Sequence, residues 1–373
     1  MFSPVIVLAA VLGSPGGSEP PAGVAVERLY HGVGRPVPVT VTAPGSRGTV
    51  TLVVMDAAGL VQARPVAVRP GRLDLAEVLP GLWRIRRASY LQLLDEDRPV
   101  GPSLVLQPML SRMVPITEVG RRDSGAAYTR VAGWKDESEL EAPSFPPKEP
   151  ASDEPEGGHD AAAPPPEPGA DRVFSGLRIY VERDVLLHTS KGDILLAMRP
   201  DEAPNTVWNF LDLAGGGFYD DVVFHRVVPF TLDGRPFVIQ AGDPTATGEA
   251  GPGYWLPIEP SLLPHEFGVI SMARADPPDS AGSQFFICLS REGTARLDGQ
   301  YCAFGYAVEG ADTIAAIAGV ELADTRGRPV DPPVIEGAEL VPAPGRIPGR
   351  GRPDERVSPR PPAAETKPDR VPR

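Results

Sequence analysis

Four runs decide the reading of this chain: Phe224-His225-Arg226-Val227, Phe237-Val238-Ile239-Gln240-Ala241-Gly242-Asp243, Gly282-Ser283-Gln284-Phe285-Phe286-Ile287 and Leu297-Asp298-Gly299-Gln300-Tyr301. They lie between Val223 and Gly310. One cation, the amides of Gln240 and Gln284 and several aromatic or aliphatic residues recur on strand-like runs. The segment shows no obvious nucleophile, no ligand cluster and no glycine-rich phosphate loop. The mixture suits a pocket that holds a neutral, partly apolar group and touches it with one positive charge.

Working outward, the flanking elements predict a barrel. Val185-Leu186-Leu187-His188-Thr189-Ser190, a Lys191-Gly192-Asp193 turn and Ile194-Leu195-Leu196-Ala197-Met198 read as a β-hairpin, with Ile179-Tyr180-Val181 as a strand before it. Pro204 opens a helix behind Asp201 and Glu202. Val207, Phe210, Leu211 and Ala214 form its apolar stripe, and Gly215-Gly216-Gly217 ends it. A second helix is expected at 311–318, with Asp312 as N-cap, Ile314 and Ile317 inward and Gly319 as the stop. Almost everything between the helices is strand or loop, which is a β-barrel pattern and not an alternating α/β sheet.

With these motifs in order, residues from 183 to about 320 resemble the cyclophilins, a family of peptidyl-prolyl cis-trans isomerases. The likeness is carried by Ala203-Pro204-Asn205-Thr206-Val207, Gly217-Phe218-Tyr219-Asp220, Phe304-Gly305 and the four runs above. It covers under half of the chain. The resemblance implies a mainly β fold, an eight-stranded barrel with two capping helices and an active groove on its outer face. It implies catalysis of rotation about X-Pro bonds in protein folding, with proline-containing peptides or proteins as partners and neither cofactor nor metal. Arg226, Phe237 and Gln240 match the family's catalytic positions. Val238, Gly248, Ala273, Arg274, Gln284, Phe286, Leu297 and Tyr301 match its substrate-binding positions. Four residues depart from the usual pattern: Val238 stands for Met, Arg274 for Asn, Arg296 for Trp and Tyr301 for His. The long cation of Arg274 is expected to crowd the groove or favour acidic substrates. An insertion, Phe230 to Pro236, lies beside the groove. The alternative to an enzyme is a non-catalytic peptide-binding module with the N-terminal unit as its partner-binding part.

The first third reads differently. Residues 24–118 alternate in strand fashion, with Pro44-Gly45 and Pro70-Gly71 turns, and predict a small all-β, sandwich-like domain. It holds no catalytic constellation, and His31 reads as structural or exposed. Before it, the apolar run Val5 to Leu12 followed by small residues predicts a signal peptide and short spacer over 1–23, and hence export. The run is too short to span a bilayer, so no stable membrane insertion is expected.

Forty-six prolines are too many for a packed fold, and their clustering assigns them to connectors. Residues 119–174 are acidic and proline-rich and read as a spacer between 24–118 and a barrel domain spanning 175–342. Residues 343–373, rich in Pro, Gly and Arg, read as a disordered tail. A net charge of −13 argues against general nucleic-acid binding, which favours a basic face. Cys288 and Cys302 sit in apolar runs and are expected as buried free thiols. A monomer is expected.

Overall fold

The computed structural model describes residues 22–46, 48–121, 127–137, 172–354 and 356–359. Residues 1–21 of the predicted signal peptide and spacer, most of the acidic stretch and the last residues of the tail lie outside them.

The N-terminal unit is a sandwich. One sheet is formed by Gly23–Val26, Pro38–Thr42 and Gly71–Asp74. The other runs in the order Tyr30–Gly32, Phe174–Val181, Leu104–Leu110, Ser89–Asp95, Val50–Met55, Val66–Val68. Strand alternation sends Val39 and Val41 of the first sheet against Leu52, Leu91, Leu93, Leu106, Leu177 and Ile179 of the second. The opposite face of that second sheet is also apolar. Val53, Met55, Tyr90, Leu94, Val105 and Tyr180 belong to the same core cluster as the barrel interior. The sheet is therefore covered on both sides, which explains near-continuous apolar runs such as Val50-Thr51-Leu52-Val53-Val54-Met55 where a one-sided sheet would alternate with polar residues.

Two expected boundaries are corrected by this arrangement. The strand Phe174–Val181, placed by sequence at the opening of the barrel domain, pairs with Leu104–Leu110 and Tyr30–Gly32. The stretch after residue 118 is not all spacer, since Met113–Arg121 and Ala127–Asp136 form a two-stranded ribbon. The acidic segment leaves the described fold after Glu137 and returns at Arg172. At its base Arg172 meets Asp136 at 3.3 Å. The described strands on either side of it, Ala127–Asp136 and Phe174–Val181, both precede the barrel sheet in the chain, so the boundary between the two units falls after Val181.

The barrel sheet runs in the order Val222–Val223, Val334–Pro342, Arg183–Thr189, Gly192–Met198, Ala303–Glu309, Val269–Met272, Phe285–Cys288, Pro236–Ala241, Arg226–Phe230. It has the eight expected strands plus the two-residue Val222–Val223. Helix Pro204–Gly215 packs on one side of the sheet, against Val334–Pro342, and helix Ala311–Ala318 packs against Gly192–Met198 and Pro236–Ala241. The first helix has Pro204 at its start and no side-chain cap of its own. Glu259 supplies the cap instead, accepting from the amides of Asn205 at 3.1 Å and Thr206 at 2.7 Å. The second helix is preceded by Gly310 at φ 98°, a conformation suited to glycine, so Asp312 lies in the first turn and is not the N-cap.

The predicted tail needs the largest correction. Residues 343–354 fold back over the junction of the two units, and Arg346 and Arg352 are buried there. Arg346 donates to both carboxylate oxygens of Glu182, at 3.0 and 2.6 Å, and to Ala57 O. Its backbone amide donates to Gln92 Oε1, and its guanidinium lies over the Tyr90 ring. Ser103 also donates to Glu182. Arg352 pairs with Asp184 and Asp354. Composition suggested solvated arginines because the carboxylates that make burial tolerable lie far away in sequence.

Cys288 and Cys302 are free and buried, as expected. Burial pushes the Cys302 thiol up to about 12.

Candidate functional site

Period-two alternation builds the site on the outer face of the barrel sheet. Val227, Ile239, Ile270, Phe285, Ile287 and Phe304 point inward and fill the barrel. Their neighbours Val228, Val238, Phe286, Cys288, Val269 and Ala303 point outward and form a separate apolar cluster with Leu297, Phe237, Ala273 and Tyr301. The register places Arg226 opposite Gln240, Gln240 opposite Phe286, and Phe286 opposite Ser271. Side chains 14, 46 and 15 positions apart in the chain thereby share one surface.

A relay of amides orients the cation. Arg226 Nη1 donates to Gln240 Oε1 at 3.1 Å, Gln240 Nε2 to Gln284 Oε1 at 3.0 Å, and Gln284 Nε2 to Ala250 O at 2.9 Å. Both amides are partnered, and each fixes the orientation of the next. Arg226 is exposed, although the barrel face desolvates it enough to lower its pKa. It stays charged, with guanidinium donors facing outward.

The loop that ends this relay is organised by Asp243. Its carboxylate accepts from the amides of Thr245 at 2.7 Å, Gly248 at 2.6 Å and Ala250 at 3.2 Å. Burial raises this carboxyl's pKa, but those hydrogen bonds outweigh it and hold it below the usual range. Gly248 sits at φ 87° beside the His225 ring. This role of Asp243 was missed in the sequence; an aspartate before Pro244 and a Thr-Gly loop was the available signal.

The remaining departures now have positions. Phe286 meets Tyr301 edge-on at 5.6 Å, and the Arg296 guanidinium lies 4.7 Å over the Phe237 ring, covering it where the family has an indole. Arg274 is engaged along the groove edge. It donates to Gln300 O, Ala275 O and Asp276 O and lies over the Tyr301 ring. Three carbonyls satisfy the cation that was expected to crowd the groove. The inserted hairpin turn leaves Phe230 and Leu232 exposed. A cavity of about 720 Å³ opens beside the amide relay, between Gly248, Trp255, Ala273, Arg274 and Gln284. Trp255 was missed in the sequence because it stands in an irregular loop without periodicity. All eleven sequence-selected residues therefore lie on or around this one face.

Two buried histidines support it. His265 is held between Asp298 Oδ1 at 2.9 Å and Ser271 Oγ at 3.0 Å, and its ring stacks on Phe286. His225 is buried beside Gly248, and neither of its ring nitrogens has a hydrogen-bond partner of good geometry among the described residues. Desolvation lowers both pKa values below the ordinary 6.5; Asp298 opposes the shift at His265, and Asp243 opposes it at His225. The unfolded chain therefore takes up these protons first. Their contribution to stability is complete above pH 6.5 and is lost as pH falls from there towards the folded values. Each proton is worth at most about 1.4 kcal/mol per pH unit. Urea unfolding should show a falling midpoint between neutral and mildly acidic pH, and His225→Phe should make that fall shallower. Parallel profiles for the two chains would show that His225 does not contribute.

The model described as cyclophilin type peptidyl-prolyl cis-trans isomerase/CLD matches residues 184–340. A peptidyl-prolyl cis-trans isomerase of Synechococcus elongatus is 46% identical over 120 residues, which span 32% of this chain and 77% of that protein. The peptidyl-prolyl cis-trans isomerase ppi1 of Schizosaccharomyces pombe is 40% identical over 154 residues, spanning 40% of this chain and 93% of that protein. A crystal structure of a Cryptosporidium parvum cyclophilin type isomerase, determined in the presence of the dipeptide Ala-Pro, is similar at 30% identity. It covers 42% of this chain and 98% of that one, with a TM-score of 0.39. The matched family region begins after the strand Phe174–Val181, so the sandwich and the ribbon stand outside it.

Proposed function

This chain belongs to the cyclophilin-type peptidyl-prolyl cis-trans isomerase family, and on that premise we propose that the Arg226 face accelerates rotation about X-Pro bonds in protein chains. The observation that carries the reading is the relay from Arg226 through Gln240 and Gln284 to Ala250 O, set beside an apolar socket.

The chemistry follows from the amide. Resonance sets a barrier of roughly 18–20 kcal/mol, while the cis and trans forms of an X-Pro bond differ by only about 0.5–1 kcal/mol. No covalent intermediate is needed. In the twisted amide the nitrogen lone pair withdraws from the carbonyl, and a guanidinium that donates to it binds that state better than either planar one. Gln240 holds Arg226 before the substrate arrives, so little reorganisation remains for the twisted state. Phe237, Val238, Phe286 and Leu297 seat the ring, with Tyr301 as a rim. Gln240 and Gln284 hold the peptide backbone, which lies against Ala273 and Arg274 beside Gly248.

An NMR exchange assay on X-Pro peptides tests this with the full chain. Catalysed exchange is the expected result, and peptide binding without exchange would favour the capture module instead. We also propose export, on the apolar run Val5–Leu12. Recovery of the expressed chain outside the cytoplasm tests that part.

A further inference from the structure

The ribbon formed by Met113–Arg121 and Ala127–Asp136 belongs to the N-terminal unit, yet it reaches the edge of the groove. Its second strand meets that edge twice. Thr129 donates from its amide and its hydroxyl to the two oxygens of Asp276, at 2.9 and 2.7 Å. Val131 exchanges both backbone groups with the Gln300 side chain: its amide donates to Oε1 and its carbonyl accepts from Nε2, each at 3.0 Å. Gln300 thus occupies the place of a neighbouring strand. Arg112, just before the ribbon, lies 3.4 Å from Asp279 on the same loop.

These contacts bear on the groove through short covalent paths. Asp276 is two residues beyond Arg274, and Gln300 directly precedes Tyr301. Arg274 itself donates to Gln300 O and Asp276 O, so one guanidinium joins both anchor points. On its other side the edge is fixed by the Ala273 amide, which donates to Gln284 O at 2.9 Å. The Ala273–Asp276 edge is therefore held between the amide relay and the ribbon, and its residues Ala273, Arg274 and Ala275 line the cavity beside that relay.

We infer that Thr129 and Gln300 are positioning residues through which the ribbon fixes the Ala273–Asp276 edge and so sets the groove's affinity for extended X-Pro peptides. This rests on reading the Arg226 face as a peptide groove. The twist itself is assigned to Arg226, whose partners the ribbon does not touch, so ribbon changes act on binding and leave the turnover step alone.

The test compares the parent chain with Thr129→Ala, Gln300→Ala, their combination, Thr129→Ser and Arg130→Ala, using one X-Pro peptide. Exchange kinetics give KM and kcat, an NMR titration gives Kd, and circular dichroism checks the fold. The combined variant should raise KM and Kd roughly three- to tenfold, the weight of one or two ordinary hydrogen bonds, with kcat retained. Thr129→Ser, which keeps the hydroxyl, should match the parent. Arg130 points to the other ribbon face, towards Glu118, and Arg130→Ala should also match it. Should the combined variant fail to fold, the single variants decide. Parental KM and Kd in folded variants, or an equal loss in Arg130→Ala, would overturn the inference. A parent that binds the peptide without accelerating exchange would overturn the enzymatic reading, and the Kd comparison would still decide this one. A parent that binds no peptide overturns both.

Discussion

Arg226→Ala should lower kcat/KM for X-Pro exchange by roughly 10²–10³-fold, the cost of removing one preorganised donor from a site of this kind. The loss should fall mainly on kcat, because the donor is needed most where the amide is twisted. Peptide affinity should change little, since the apolar cluster around Phe286 and the amides of Gln240 and Gln284 remain. Stability should also hold: Arg226 is exposed, and its removal leaves Gln240 Oε1 accessible to water. Arg226→Lys should rescue poorly, because a lysine lacks the fork that meets Gln240 and a substrate nitrogen together. Exchange spectroscopy at saturating peptide separates these outcomes. Equal kcat in the parent and the Arg226→Ala chain would remove Arg226 from the mechanism.

Arg346→Ala should give the largest loss of stability, about 3–5 kcal/mol, as expected when one member of a buried ion pair is deleted. Glu182 would keep Ser103 and the more distant Arg352 at 3.4 Å, which places the effect towards the lower end of that range. The cavity left over Tyr90 adds a packing term. Replacing both partners, as in Arg346→Met with Glu182→Leu, should restore much of the loss, because no charge is then stranded. Urea unfolding of the three chains would measure this. A double variant as unstable as Arg346→Ala would show that the charges themselves are not the cause.

The barrel face was legible because its information is local. Alternation along Arg226-Val227-Val228 and Val238-Ile239-Gln240 separates interior from exterior, and the sheet register then converges the outward residues. The helix over 204–215 was legible from its apolar stripe and Pro204. What escaped was what depends on distant partners. Arg346 and Arg352 sit in a Pro/Gly/Arg stretch whose local character is that of solvent, and only Glu182 and Asp184 make their burial tolerable. Phe174–Val181 was placed with the wrong unit because a strand's neighbours are not written in its own alternation. The two-sided burial of Val50–Met55 left only a faint trace, a run whose single polar residue is Thr51, and which surfaces cover it is not written there. The tie of Asp276 and Gln300 to the ribbon was not legible, because their partners, Thr129 and Val131, lie in a region that composition had assigned to a spacer.

The clasp at Glu182 has a consequence in time. Arg346 follows Glu182 by 164 residues, and Arg352 follows Asp184 by 168. At synthesis rates of about 5–20 residues per second, the carboxylates precede their guanidinium partners by on the order of 10–30 s. The sandwich strand Phe174–Val181 can pair as soon as it emerges, because its neighbours Leu104–Leu110 and Tyr30–Gly32 are already made. Arg183–Thr189 can pair at once with Gly192–Met198, but its other edge must wait for Val334–Pro342, and the junction is sealed only when residues 346–352 arrive. The two halves of this molecule therefore mature in sequence, with residues 346–352, synthesised after both, closing the seam between them.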